Sequence, residues 1–278
     1  EQVWRQTAPA IGLTCLVGAW AWLPMFPLHR RWISFWRQSS SGLRFVWMCV
    51  GSQLGLFILV QYVLPVFGPL EETTIWWSGL LGLIGFLYAQ AVMARQQSFL
   101  GAISYGLIAQ HGLCFAALIC GERAALWGGL LQIVNVSLSV SLLVWQKLQE
   151  PTANNTVPSW CGRVALGSLS GMPGTLGFVS QLLILWGLFG APVAGEIVLL
   201  TLVGLVFGGR LWQRATRLPY DEVLPSSETT ATSKDSMPSI GIGAAYAYAL
   251  VVAGGLILVG VQPDLMLNRL RPSTEQLA

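Results

Sequence analysis

Side chains able to move a proton or hold a metal are few in this chain and do not cluster. His29 and His111 are its two histidines, too few and too far apart in sequence to form a metal site by ligand spacing. Cys15, Cys49, Cys114, Cys120 and Cys161 contain no CxxC pair and fall mostly inside apolar runs, where cysteine packs as a small hydrophobe. There is no P-loop, no GxGxxG following a strand and no nucleophile elbow. No residue is therefore assigned a catalytic or metal-binding role, and no cofactor is expected. What the apolar runs and their flanks do contain is amides: Gln53, Gln61, Gln90, Gln96, Gln110, Gln132, Asn135 and Gln181. An amide donates and accepts hydrogen bonds but does not take up and release a proton near neutral pH. Two readings stand side by side. The amides tie helices together, at about 0.6 kcal/mol each, or they line a hydrated path. Glu196 is the one carboxylate well inside an apolar run, with the outer interface within its reach. His29 suits a solvated or helix-capping role as well as proton handling.

The elements that position these groups are membrane helices. Of 278 residues, 54% are hydrophobic and only 10% charged, and the mean hydropathy is +0.62. A soluble domain of this length is not so apolar. With roughly 20 residues needed per crossing, the apolar runs separate into about eight spans, at 7–28, 45–67, 75–94, 99–120, 125–145, 164–189, 191–209 and 240–261. The expected fold class is an all-α polytopic bundle forming a single transmembrane domain over 1–278. The first run is long, begins with a poorly basic Glu1-Gln2-Val3-Trp4-Arg5 and lacks a small-residue cleavage site, so it does not read as a cleavable signal. The absence of an initiator Met points to a processed chain or a fragment. Two runs are interrupted by helix breakers. Pro24 and Pro27 stand in Leu23-Pro24-Met25-Phe26-Pro27-Leu28-His29, and Pro173 and Gly174 stand in Ser170-Gly171-Met172-Pro173-Gly174-Thr175. A broken helix at membrane depth persists only where protein or a water-filled cavity surrounds it, and paired breaks are a device of ion carriers.

Charge sorts by loop. Of the 15 Lys and Arg, 11 fall after the first, third, fifth and seventh spans, among them Arg30, Arg31, Arg37, Arg44, Arg95, Lys147, Arg163, Arg210, Arg214, Arg217 and Lys234. The positive-inside rule puts that side in the cytoplasm and both termini outside it, in a bacterial inner membrane. Net charge of +3, spread over alternate loops, does not point to nucleic acid. Most connections are short; only the polar loops opening at Glu150 and running from Asp221 to Ser239 are longer, and neither reads as a domain boundary. Many of the 13 tryptophans lie near span ends as interfacial anchors, and glycines such as Gly51, Gly55, Gly79 and Gly82 read as close-packing positions.

Five stretches, in one order from residue 19 to 181, carry a resemblance. Ala19-Trp20-Ala21-Trp22-Leu23-Pro24-Met25-Phe26-Pro27-Leu28-His29 is similar to A-x-x-K-[LM]-P-x-x-P-L-H. Tyr62-Val63-Leu64-Pro65-Val66-Phe67 is similar to R-F-x-L-P-L-F, and Ser104 to Gly112 to A-Y-S-S-x-[SA]-[HQ]-x-G. Gln132 to Ser139 is similar to Q-M-x-x-H-G-L-S, and Gly171 to Gln181 to L-P-G-x-x-G-F-V-[SG]-E. These are motifs of the antiporter-like membrane subunits shared by respiratory complex I, membrane-bound hydrogenases and Mrp-type cation/proton antiporters, the M or D type above all. The resemblance implies a fold of about fourteen helices with two inverted five-helix repeats, each containing one broken helix. This chain matches roughly the last eight: 7–67 as the end of the first repeat, 75–209 as the second and 240–261 as the final helix.

The resemblance also implies a midplane proton relay, through a lysine beside the first break, a second lysine 31 positions on, a histidine, and a glutamate after the second break. Here those positions hold Trp22, Gln53, Val136 and Gln181, with the 31-residue spacing kept. A further D-x-K pair falls on Ser98 and Leu100, and Gln110 occupies a position where relatives carry His or Gln. All four relay positions have lost a titratable group, and a bulky Trp22 ring is expected to fill the first lysine's site. The implied function is a degenerate, structural or partner-binding subunit of a larger complex I-like assembly, with no complete proton path and no catalysis of its own. The alternative is an active translocator of protons, cations or inorganic carbon, completed by a partner chain supplying the first helices. In either case the partners are other membrane subunits and the lipid bilayer.

Overall fold

The computed structural model describes residues 12, 14–64, 72–149, 159–190, 195–219 and 242–262. The loops opening at Glu150 and Asp221 lie outside them, as do both chain ends. Every regular element among the described residues is helical. Chain order gives α1 (14–22), α2 (Arg30–Gln38), α3 (Ser41–Cys49), a 3-10 turn at Gly51–Gln53, α4 (Leu54–Ile58) and a π turn at Leu59–Val63. Then follow α5 (Glu72–Met93), α6 (Phe99–Ile119), α7 (Arg123–Gln149), α8 (Ser159–Leu169), α9 (Leu176–Gly190), α10 (Gly195–Ala215) and α11 (Ile242–Val261). Among the described residues, 42–63, 76–93, 99–119 and 123–147 are long and apolar enough to cross a bilayer, and Leu176–Gly190 and Ala247–Val261 are shorter apolar helices.

One helix organises the rest. In α6 every residue but Tyr105 is buried, the signature of a helix enclosed on all sides. Its closest neighbour is α5, and glycine makes that approach possible. A Cβ on Gly82 would stand 2.8 Å from the Gly112 carbonyl oxygen, and one on Gly112 would stand 2.6 Å from that of Gly82. Gly106 in turn accepts the Trp212 ring of α10. Ser98 caps α6, its hydroxyl accepting the Gly101 N–H at 3.2 Å, so the position matched to an aspartate serves as an N-cap.

Both breaks form, by different means. At the first, Pro24 and Pro27 bring no N–H to the ladder. The chain turns through Leu23 N–H to the Trp20 carbonyl (3.0 Å) and Met25 N–H to the Leu23 carbonyl (2.9 Å), with a cis Phe26–Pro27 bond. Trp20 Nε1 then donates to the Phe26 carbonyl at 3.2 Å. At the second, Gly171 (φ 69°) and Gly174 (φ 85°) take up left-handed backbone, which glycine adopts without a Cβ clash. Met172 N–H reaches back to the Gly167 carbonyl at 2.8 Å.

The sequence places Arg30 to Arg37 in a loop after the first span; the structure makes this segment helix α2. Trp32, Ile33 and Trp36 form its buried stripe, while Arg30, Arg31 and Arg37 remain exposed. Amphipathic spacing, obscured by the high charge, drives the helix. The buried Arg44 ties α2 to α3, its Nε donating to the Trp36 carbonyl and its Nη2 to that of Ser39, both at 2.7 Å. The second expected span likewise begins earlier, at Ser41.

The basic residues gather at one end of the bundle. Arg214 Nη1 donates to the Ala94 carbonyl, Phe99 N–H to Pro219, and Lys147 Nζ stands 5.6 Å over the Phe99 ring. Phe45 meets Trp145 at 5.8 Å, which brings the α2–α3 turn to the same end. Glu122, in the α6–α7 turn, and Arg123, which opens α7, sit at the other end.

Candidate functional site at the midplane

Gln110 lies midway along α6, and its side-chain oxygen accepts the Gln132 Nε2–H of α7 at 2.7 Å. Gln132 Oε1 accepts from Asn135 Nδ2 at 3.2 Å and from the Ser180 hydroxyl of α9. Asn135 Oδ1 accepts the Ser168 hydroxyl of α8 at 2.5 Å and that of Ser139 at 3.3 Å. Ser168 Oγ in turn accepts the Gly177 N–H at 3.1 Å. All seven residues are buried. The result is one chain of neutral hydrogen bonds crossing α6, α7, α8 and α9, anchored on the second break.

The break geometry makes this closure possible. A Cβ on Gly177 would lie 1.6 Å from the Ser168 carbonyl oxygen, so the two half-helices touch backbone to backbone. The first-turn amide of α9, lacking a helical acceptor, is thereby supplied with the Ser168 hydroxyl. Gln181 Nε2 spans the same break to the Leu169 carbonyl at 3.2 Å. From the far side α11 closes over it: a Cβ on Gly260 would stand 2.5 Å from Thr175 Cα.

The family-matched positions divide among three settings. Gln110 and Gln181 are in or beside this network. Gln53 ends the 3-10 turn, buried, with its Nε2 unpartnered. Val136 and Leu100 are buried apolar core. The expectation that Trp22 fills a buried lysine site does not hold in the described residues: the ring is 43% exposed, edge-on to Trp32 at 6.4 Å, and borders an apolar groove with Cys15, Gly18 and Tyr62. As the last residue of α1 before the break, it projects from the bundle surface. His29, at the N-cap of α2, is buried in an aromatic cage of Phe26, Tyr88 and Tyr105 with ring centroids 5.5–6.1 Å away. It makes no side-chain capping bond, and its Nδ1 is unpartnered. Of the break residues, Pro24 is buried and Pro27, Pro173 and Gly174 are exposed. The side chain of Glu196 lies outside the described residues.

The hydroxyls of Ser139, Ser168 and Ser180 are the members that the sequence reading missed. One signal was available: Gln132, Asn135 and Ser139 recur at helical spacing on one face of α7. Ser168 and Ser180 carried none, because the second break separates them from each other and both lie on helices other than α7. Among the described residues no Asp, Glu or Lys is buried, and no group of His, Cys, Asp and Glu could hold a metal.

No family model matches the chain. Subunit M of the NADH-quinone oxidoreductase of Pseudomonas aeruginosa is 24% identical over 229 residues, covering 76% of this chain and 42% of that protein. A chain of respiratory complex I from Thermus thermophilus superimposes with a TM-score of 0.74 at 19% identity, over 97% of this chain and 58% of its own length. This is an antiporter-like membrane fold. A chain of the Mrp complex from Dietzia sp. shares it, with a TM-score of 0.73 at 13% identity over 95% of this chain and 57% of that one. The chain spans about half the length of the curated relatives it matches. Within the antiporter-like fold, the two broken helices are α1–α2 and α8–α9.

Proposed function

We propose that this chain is a degenerate antiporter-like subunit, acting as a structural and partner-binding component of a larger complex I-like assembly and making no complete proton path of its own. One observation carries the reading: the polar centre at half-height is a closed run of amides and hydroxyls. Its members are hydrogen-bonded to one another, and none titrates near neutral pH. Transfer along a relay needs groups that change protonation state, which buried Lys or Glu do because desolvation and partners shift their pKa. Gln110, Gln132 and Asn135 hold α6, α7, α8 and α9 together instead. Residues 7–67, 75–209 and 240–261 then correspond to the end of one repeat, a second repeat and a final helix. With the basic end in the cytoplasm of a bacterial inner membrane, both termini are non-cytoplasmic.

The test is a proton-flux assay in sealed liposomes with an imposed potential and an internal pH dye. The purified chain is expected to leave the dye signal at the level of empty vesicles, while copurifying with other membrane subunits from native membranes. Flux by the chain alone would overturn the reading.

A second reading has its own support in three of the six buried side-chain polar atoms left without partners among the described residues, His29 Nδ1, Gln53 Nε2 and His111 Nε2, the other three being tryptophan Nε1 atoms. His111 Nδ1 faces the Leu107 carbonyl at 2.7 Å and so donates, which leaves Nε2 a free acceptor in the neutral ring. Groups of this kind recruit water. On this reading they belong to a hydrated path completed by a partner chain, and the complex moves protons, cations or inorganic carbon. Flux that appears only with the partner bound, and falls in Gln53→Leu, would select it.

A further inference from the structure

The exposed face of α2 borders a cavity of about 480 Å³ lined by Arg30, Ile33, Ser34, Arg37, Gln38 and Tyr105. The four polar α2 residues recur at helical spacing, so they share one side of the helix. Gln38 Nε2 donates to Ser34 Oγ at 3.2 Å, which leaves the Ser34 hydroxyl hydrogen free to donate to a ligand. The helix contains no acid. Glu122, the one carboxylate whose side chain is described, stands in the α6–α7 turn, at the far end of α6 from Tyr105. Neither guanidinium therefore has a carboxylate partner among the described residues. Arg31 points elsewhere, with its guanidinium 6.0 Å from the Trp32 ring.

We propose that this cavity binds the phosphate of an anionic phospholipid. Two guanidiniums, a hydroxyl and a phenol provide donors for a phosphate's several acceptor oxygens, and Arg is the residue suited to multidentate phosphate recognition. The ligand is a lipid rather than a free anion for two reasons of position. The cavity lies towards the basic end of the bundle, the end expected to meet the headgroups. Exposed apolar side chains also flank it: Phe35 adjoins the basic face of α2, and Tyr88, 38% exposed, stands 5.5 Å from His29 beside Tyr105. Acyl chains lying along that surface hold the phosphate in place.

The whole chain, purified in detergent with equal amounts of phosphatidylglycerol and phosphatidylcholine, is assayed for retained lipid by native mass spectrometry. Phosphatidylglycerol is expected to be retained in preference, and the R30Q/R37Q pair to weaken that retention by an order of magnitude, from two basic contacts near the surface. R30K/R37K and R210Q/R217Q should keep most of it. Because R30Q/R37Q also removes charge from α2, Ser34→Glu provides an independent check: an exposed carboxylate placed in the cavity should abolish the preference without disturbing the fold. Equal retention by the wild type and both cavity variants, equal loss in R210Q/R217Q, or full displacement of the lipid by inorganic phosphate would each overturn the proposal.

Discussion

At the residue scale, the midplane depends on Asn135. It donates to Gln132 and accepts from Ser168 and Ser139, so Asn135→Leu strands buried hydroxyls on two other positions. A buried polar group left unsatisfied costs about 1–3 kcal/mol, more than the average membrane hydrogen bond of about 0.6. Unfolding in a denaturing-detergent titration should shift by that larger amount; a shift near the smaller one would mean that water replaces the lost partner. Glycines provide a second comparison. Gly177→Ala drives a Cβ into the Ser168 backbone and is expected to cost about 3 kcal/mol or more. Gly174→Ala meets no neighbour within 4 Å but keeps φ at 85°, for roughly 1–2 kcal/mol. Gly254 has open space and lies within α11, so Gly254→Ala should be neutral or stabilising by up to about 1 kcal/mol. The same titration orders all three, and a Gly177→Ala variant as stable as Gly254→Ala would refute the backbone contact.

At the element scale, the two breaks differ in what makes them. The second is written in local backbone chemistry, with two left-handed glycines and a serine that serves one first-turn amide of the next helix. The first rests on proline, and on what packs around it. A Cβ on Gly55 would stand 2.7 Å from the Leu23 side chain, and one on Gly85 3.2 Å from that of Phe26, so α4 and α5 both close on it. Helix α2 beyond it is short and highly charged; its turn into α3 is held by Arg44. Replacing Arg44 with Met leaves the Trp36 and Ser39 carbonyls without that donor. Amide exchange over Arg30 to Cys49 should then accelerate by one to two orders of magnitude, the equivalent of about 1–3 kcal/mol, while α6 stays protected. Uniform exchange across the chain would show that the turn is not an independent unit.

At the scale of the whole molecule, α6 is a buried core around which the bundle is arranged, and its approach to α5 is set by Gly82 and Gly112. Enlarging Gly82 to Leu pushes α5 away from α6 along its length, so loss of the folded, monodisperse protein is expected in size-exclusion chromatography. The exposed groove beside Trp22 has the opposite character. Tyr62 in its lining and the adjoining Phe57 lie open, 60% and 56% exposed, so Trp22→Ala should change stability in detergent by less than about 1 kcal/mol.

Much of this was legible in the linear chain. Hydropathy and breaker residues determine an all-helical membrane bundle with two interrupted helices, because a bilayer allows few backbone solutions and Pro and Gly act locally. The order of motifs determines the antiporter-like resemblance, and the identities at Gln53, Val136 and Gln181 determine that titratable groups are missing there. Only the tertiary structure decided which polar groups meet. Ser180 lies 48 positions from Gln132, and Ser168 lies 33 from Asn135; neither contact has a local spacing to announce it. Tertiary packing also turned Trp22 outward and Val136 into the core, since a position one residue along a helix is rotated by about 100°, and only the neighbouring helices fix which direction faces inward.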